Sequence, residues 1–309
     1  MFITIDGGTT NTRISIADEE KIIETVKLHV GARNGIDDQN ALKAAVRGNI
    51  AVLLKNNGLT ENDIEKILAS GMITSEYGLH PLDHIAAPAG IKELHDSMCE
   101  VHIDEISSIP FVFIRGVKIC GDSLKKSDMM RGEETELMGI MSRSDGRCMY
   151  ILPGSHSKLI ETNSDGKIIH FTTMLTGEMT AALSQNTILK DAVDLSVPTD
   201  SDYLLKGYEY CSEHGINEAL FKVRILKNIF KCTVEQIYSF FMGVILCGEV
   251  RSVIESDIEK IIIGGKKQIR EAEGLLIKAN SDKEVIILDD ETVDGSTAKG
   301  MIKIYKYTE

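Results

Sequence analysis

Phe2-Ile3-Thr4-Ile5-Asp6-Gly7-Gly8-Thr9-Thr10-Asn11-Thr12-Arg13-Ile14-Ser15-Ile16 opens the chain with two β-branched runs around a turn of glycine and hydroxyl residues. The runs predict a hairpin of strands at 2–5 and 13–16, whose tip carries side-chain donors behind a carboxylate. The pattern returns near the middle of the chain as Met149-Tyr150-Ile151-Leu152, the turn Pro153-Gly154-Ser155-His156-Ser157, and Lys158-Leu159-Ile160. Each hairpin has a basic residue, Arg13 or Lys158, leaving its turn.

A second echo is more literal. Asp63-Ile64-Glu65-Lys66-Ile67 leads through Leu68-Ala69-Ser70 to Gly71, and Asp257-Ile258-Glu259-Lys260-Ile261 leads through Ile262-Ile263 to Gly264-Gly265. Both follow helical stretches, roughly 38–55 and 234–254. The shared order of hairpin, helix and buried strand ending in glycine predicts two similar α/β domains facing one another, with ligands bound in the cleft between them. The division is placed at 1–121 and 122–309, with the switch near Gly121-Asp122-Ser123, where a hinge would let the cleft close.

The 309 residues suffice for two domains, and a hydrophobic fraction of 43% with 26% charged residues is that of an ordinary globular chain. The net charge of −13, without a block of Lys or Arg, argues against sequence-independent nucleic-acid binding. Six scattered cysteines form no C-x-x-C pair, which suits reduced thiols in the cytoplasm rather than a zinc site or a disulfide framework. The N-terminus shows no basic region followed by an apolar one, and the apolar stretch 238–250 is too short to span a bilayer; it reads as a buried helix, and no membrane partner is expected. A homodimer is the default oligomer.

Gly7 and Gly8 let backbone approach a phosphate, and Thr9, Thr10 and Asn11 add side-chain donors, a nest suited to the β and γ phosphates of ATP. Asp6 at its base is placed to hold hydrated Mg2+, which prefers one or two carboxylates plus water and phosphate oxygens. An ordinary glycine hairpin is the plainer alternative; the hydroxyl-rich tip, repeated in the other half, favours phosphate. In the second loop Gly154, Ser155 and Ser157 take the nest role, and His156 is read as structural. Gly264-Gly265 resembles an adenosine site, where missing side chains let a flat base lie on backbone.

With these pieces in order, the chain resembles the 2-dehydro-3-deoxygalactonokinases of the hexokinase, actin and Hsp70 superfamily. The resemblance rests on Asp6-Gly7-Gly8-Thr9-Thr10-Asn11-Thr12-Arg13, Ser70-Gly71-Met72-Ile73, Met130-Arg131-Gly132-Glu133-Glu134-Thr135, Leu152-Pro153-Gly154-Ser155-His156-Ser157-Lys158 and Leu175-Thr176-Gly177-Glu178. It implies two actin-like (ribonuclease H-like) α/β domains and ATP-dependent phosphorylation of a small sugar acid, 2-dehydro-3-deoxy-D-galactonate, at its 6-hydroxyl. Arg13 and Lys158, the basic residues leaving the two turns, are candidate phosphate contacts. Three departures stand out: Gly7 where the family usually has Trp, Glu76 where Arg often follows the Gly-Met-Ile stretch, and Arg115 where Pro is expected.

Phosphoryl transfer needs a carboxylate to orient the attacking hydroxyl and accept its proton. Gly132-Glu133-Glu134-Thr135 precedes an expected helix at 136–141 and is similar to the catalytic segment of related sugar kinases. Glu133 is preferred as base, with Glu134 second and Asp128 third; the alternative is that the two glutamates only complement the positive end of a helix. Arg131 is a candidate for fixing a phosphate or the substrate carboxylate, or for pairing with Glu134. Gly71-Met72-Ile73-Thr74-Ser75 falls on the sugar side, with Met72, Thr74 and Ser75 as candidate contacts. Rival readings are another small-molecule kinase of the superfamily, a nucleotide-driven binding protein, and a silent sugar sensor.

Overall fold

The computed structural model describes residues 1–31, 39–142 and 146–308. Strands β1 (Phe2–Gly7) and β2 (Thr12–Ala17) pair antiparallel as the opening stretch predicts, with Asp6 opposite Arg13. β3 (Ile22–Leu28) extends the ladder, and α1 (Gln39–Asn56) follows; Asp38, read as its start, lies outside the described residues. Leu42, Val46, Ile50 and Leu53 recur every three or four positions along α1, and this apolar stripe packs in one core with Ile3, Ile5, Ile14 and Ile16.

After α1 come β4 (Lys66–Gly71), β5 (Ile85–Ala86), α2 (Ile91–Asp96), β6 (Cys99–Ile103), β7 (Ser107–Phe113), β8 (Val117–Ile119), β9 (Asp128–Met130) and α3 (Glu133–Ile140). The large sheet has the order β3-β2-β1-β4-β7-β6, with β4 parallel to β1, while β5, β8 and β9 form a small sheet.

The second half repeats the design with β10 (Cys148–Leu152), β11 (Ser157–Thr162) and β12 (Ile168–Met174), then α4 (Thr176–Asn186), α5 (Ser201–His214), α6 (Ile216–Ile225) and α7 (Val234–Glu255). β13 (Lys260–Ile263), α8 (Lys267–Asn280), β14 (Glu284–Ile287), α9 (Asp290–Val293) and α10 (Ser296–Tyr305) complete it. Its sheet runs β12-β11-β10-β13-β14, again with an antiparallel hairpin and a parallel neighbour for the hairpin's first strand. Both pentapeptide echoes lead into that parallel neighbour, β4 or β13. The two hairpin tips have equal length, residues 8–11 and 153–156.

Two compact units result: Met1–Gly146 with Asn163–His170 and Glu291–Glu309, and Arg147–Thr162 with Phe171–Asp290. The division therefore falls after Gly146 and not at 121, and the last helix returns to the first unit. The physical reasons are local. β9 pairs with β8, which places 121–123 inside the first unit. α10 also packs against α3 at glycines: a Cβ on Gly139 would stand 1.9 Å from the Ser296 carbonyl oxygen. In the second unit α7 matches the helical stretch expected at 234–254. Among the described residues it is the one helix long and apolar enough to cross a membrane, but 78% of its apolar window is buried, and Ile237 through Cys247 form the unit's core.

Candidate active site

In the first unit, β1 delivers Asp6 to the base of a tip that the Gly8 N–H closes by donating to the Asn11 carbonyl, 2.8 Å. Thr9 and Thr10 at the tip are exposed, and Asn11 is fixed by bonds to Thr10 Oγ1 (2.9 Å) and His29 Nδ1 (3.1 Å). Gly31 has no room for a side chain: a Cβ there would stand 2.6 Å from the Gly8 carbonyl oxygen. Arg13, a candidate phosphate contact, ion-pairs with Asp6, Nη1 to Oδ2 at 3.0 Å, because the register places the two side by side across the hairpin.

Burial raises the Asp6 carboxyl above its ordinary range, Arg13 pulls it down, and the charge of Glu133 pushes it up. Packing at glycines brings the start of α3 towards the first loop: a Cβ on Gly132 would stand 3.3 Å from the Gly71 Cα, and Gly71 pairs with Gly7 in the β1–β4 ladder. The helix begins at Glu133 itself, three residues before the expected start, so the acids occupy its first turn. The Arg131 N–H donates to Glu133 Oε2 at 3.1 Å, which orients that carboxylate. Glu134 has a different role: it is fully buried, both its oxygens accept from the Gly132 N–H at 2.9 Å, and Thr135 Oγ1 donates to it at 3.1 Å. Burial, and then repulsion from Glu133, pushes it up to about 8, so it is a neutral clamp on the Gly132 turn at neutral pH. Asp128 sits on β9 opposite Ile119, with Oδ1 accepting from the Met129 N–H.

Glu136 escaped the sequence reading. It follows Glu133 by three residues and so shares its helix face. Burial, then Asp6 and Glu133, push it up to about 7. Its signal was the i, i+3 acid spacing, which on an exposed helix would mean nothing.

The Arg131 guanidinium is spent on structure. Nη1 donates to the Thr74 carbonyl (2.8 Å) and Oγ1 (2.5 Å), and Nη2 donates to the Leu82 carbonyl (2.9 Å) and to His84 Nδ1 (3.3 Å). Burial and the Arg131 charge accordingly lower His84 to about 4, which keeps it a neutral acceptor. Thr74 is fully buried, with its hydroxyl donating to the Gly71 carbonyl at 3.0 Å, so the expected sugar contact is a support of the turn. Ser75 Oγ likewise donates to the Met72 carbonyl, 2.7 Å, but Ser75 and Met72 keep partial exposure. Glu76 is exposed, and Arg115 donates to the Ser97 and Asp83 carbonyls.

The donor set suits hydrated magnesium held mainly by phosphate oxygens. Asp6 offers one carboxylate, and no cluster of three or more His, Cys, Asp or Glu occurs among the described residues. The strands flanking Asp6 add buried hydroxyls, Thr12 Oγ1 and Ser70 Oγ, which have no hydrogen-bond partner among the described residues.

In the second unit, Gly154 is partly exposed and Ser155 exposed at the tip, while Ser157 and Lys158 are buried, 1% and 3% exposed. Lys158, a candidate phosphate contact, donates from Nζ to the His156 carbonyl at 3.1 Å. His156 Nε2 meets Glu178 Oε1 at 3.0 Å, in keeping with a structural histidine. The Glu178 N–H donates to the Ser155 carbonyl at 3.2 Å, and a Cβ on Gly177 would stand 2.4 Å from the Gly154 carbonyl oxygen. Gly264 donates to the Ile151 carbonyl, and Gly265, at φ +70°, packs on Pro153, where a Cβ would lie 2.6 Å from the carbonyl oxygen. The glycine pair and the loop are therefore neighbours.

Two sheets that share five strands in one order, the first adding β6 at its edge, and that are each headed by a hairpin with an equal glycine- and hydroxyl-bearing tip, define the actin-like class of sugar-kinase fold. Residues 6–298 match the family 2-keto-3-deoxy-galactonokinase, and the chain belongs to that family. A crystal structure from Sinorhizobium meliloti, described as a putative 2-dehydro-3-deoxygalactonokinase, shares the fold at a TM-score of 0.81, covering 100% of this chain and 98% of that one at 19% identity. A probable 2-dehydro-3-deoxygalactonokinase of Rhizobium meliloti (strain 1021) is 30% identical over 132 residues, 41% of this chain; the match spans 40% of that curated relative's length. The activator of the 2-hydroxyisocaproyl-CoA dehydratase from Clostridium difficile, solved with bound ADPNP, is similar at a TM-score of 0.51 and 12% identity, over 98% of this chain and 94% of that one.

Proposed function

We propose that the chain is a cytoplasmic, ATP-dependent kinase that phosphorylates the 6-hydroxyl of 2-dehydro-3-deoxy-D-galactonate. The observation that supports this reading is the packing of Gly7, Gly71 and Gly132, which brings the start of α3, where Glu133 is the first residue, against the end of β1, which carries Asp6. ATP with Mg2+ supplies the phosphoryl group and neutralises its charge. The Gly8 turn with Thr9, Thr10 and Asn11, and Gly154 with Ser155, offer donors to phosphate oxygens, and Gly264-Gly265 offers a flat seat for adenosine. Glu133, oriented by the Arg131 N–H, accepts the proton of the attacking hydroxyl. Glu134 keeps the Gly132 turn closed, and Arg131 with Thr74 holds the turn that presents Met72 and Ser75 to the sugar acid.

The test is a coupled ADP-release assay over a panel of 2-keto-3-deoxy acids and hexoses, with the phosphorylated position read from the product. Release stimulated most by 2-dehydro-3-deoxy-D-galactonate, with phosphate on its 6-oxygen, is the expected result. Release that ignores every sugar would leave a nucleotide-driven binding protein, and a preference for a hexose would replace the substrate.

A further inference from the structure

Two carboxyl groups of the second unit take no part in the chemistry above. Glu249 on α7 and Glu273 on α8 are 1% and 0% exposed. Glu249 Oε1 accepts from Thr176 Oγ1, at the first residue of α4. Glu249 Oε2 and both carboxyl oxygens of Glu273 have no hydrogen-bond donor among the described residues. Two ionised carboxylates only accept hydrogen bonds and repel one another, which a dry core does not tolerate. One proton removes both faults, because the protonated carboxyl becomes a donor to the other. In line with this, burial and then the neighbouring Glu249 hold the Glu273 carboxyl well above the usual carboxylate range.

The surroundings give the pair a purpose. α4, which Thr176 begins, is the helix that fastens the second phosphate loop, through the close approach of Gly177 to Gly154, the bond from the Glu178 N–H to Ser155, and the His156–Glu178 contact. Other polar groups on the packed helices face elsewhere. Arg270 on α8 turns to the Gly265 carbonyl and Asp290, Glu178 on α4 to His156, and Cys247 on α7 to Cys211 and Ser212 of α5.

We propose that Glu249 and Glu273 form a proton-sharing acid pair that positions Thr176, and through it the second phosphate loop. The sharing of the proton stands on the burial of the two carboxyls and their unpartnered oxygens, together with the influence of Glu249 on Glu273; the effect on nucleotide rests on reading that loop as the phosphate site. The two are therefore tested separately.

At neutral pH the wild-type-minus-variant infrared difference spectrum of the full chain should show for Glu273→Gln a lost carbonyl stretch of a neutral carboxylic acid, over the band of neutral Glu134 that both proteins share, and for Glu249→Gln a shift of the Glu273 stretch. If the difference spectra lack that band, or potassium or sodium abolishes it by occupying the pair, the proposal is overturned. Glu273→Gln keeps a donor to Glu249 and should hold the KM for ATP within about twofold of wild type, whereas Glu273→Leu and Thr176→Val should raise it about tenfold, the scale of one buried hydrogen bond to a charged group. A general loss of packing would instead lower the melting temperature with the KM for ATP unchanged, and that outcome refutes the positioning role. Should Glu273→Leu fail to fold, Thr176→Val carries the same comparison. If no sugar supports turnover, direct titration with a fluorescent ATP analogue replaces KM. The acid band then still judges the pair, independently of the kinase reading.

Discussion

Gly71 lies flat against Gly7: the two are partners in the parallel β1–β4 ladder, and a Cβ on Gly71 would stand 2.5 Å from the Gly7 carbonyl oxygen. Gly71 also adopts φ +82°, a conformation that L side chains rarely take, and a Cβ on Gly132 would come within 3.3 Å of the Gly71 Cα. Three glycines thus join the first hairpin tip, the turn at 71–74 and the start of α3. Gly71→Ala combines backbone strain with a clash against rigid backbone, and should cost about 2–4 kcal/mol of stability in denaturant unfolding. A variant as stable as wild type would show that this junction has slack.

Glu133→Gln keeps the side chain's size and its bond from the Arg131 N–H but removes the proton acceptor. We expect kcat to fall about 100-fold or more, with the KM for both substrates and the melting temperature little changed. Near-normal turnover would transfer the role of base to Glu136, which shares the same helix face.

Glu134 links folding to pH with a sign opposite to that of an ordinary surface carboxylate. Its folded value of about 8 lies above its ordinary value of 4.5, so between these limits the folded chain binds the extra proton. Stability from this group is full below the lower limit and is lost as pH rises towards 8, at up to about 1.4 kcal/mol per pH unit. Glu134→Gln should flatten that slope in urea titrations between about pH 5 and pH 8. Equal slopes in the two proteins would mean that Glu134 is ionised in the fold.

Much of this was legible in the sequence, for definable reasons. The two hairpins announce themselves because β-branched runs and glycine turns are local signals, and the repeat of Asp257–Ile261 after Asp63–Ile67 marks equivalent strands because each strand is buried beside its hairpin. What was hidden depends on distant partners. Arg131 and Glu134 look like reagents beside Glu133, yet what commits them to structure is the carbonyls of Thr74 and Leu82 and complete burial, which no local pattern reveals. Lys158 is a similar case, since only the depth of β11 turns it away from solvent. The return of α10 to the first unit was invisible for the same reason, as its glycine contacts with α3 join residues far apart in sequence. Glu249 and Glu273, spaced on separate helices, carry no motif at all.

Arg131→Lys separates positioning from charge. The guanidinium fork spans the Thr74 carbonyl and hydroxyl with one nitrogen and the Leu82 carbonyl with the other, and a lysine ammonium, as a point donor, cannot satisfy both sides. Freed buried carbonyls cost about 1–3 kcal/mol, so stability should drop by that amount even though the positive charge is kept. Because the turn at 72–74 belongs to the sugar side of the proposed reaction, the KM for the sugar acid should rise about tenfold while that for ATP stays near wild type. A rise confined to ATP would instead place Arg131 on phosphate, and would require the guanidinium to leave Thr74 when nucleotide binds.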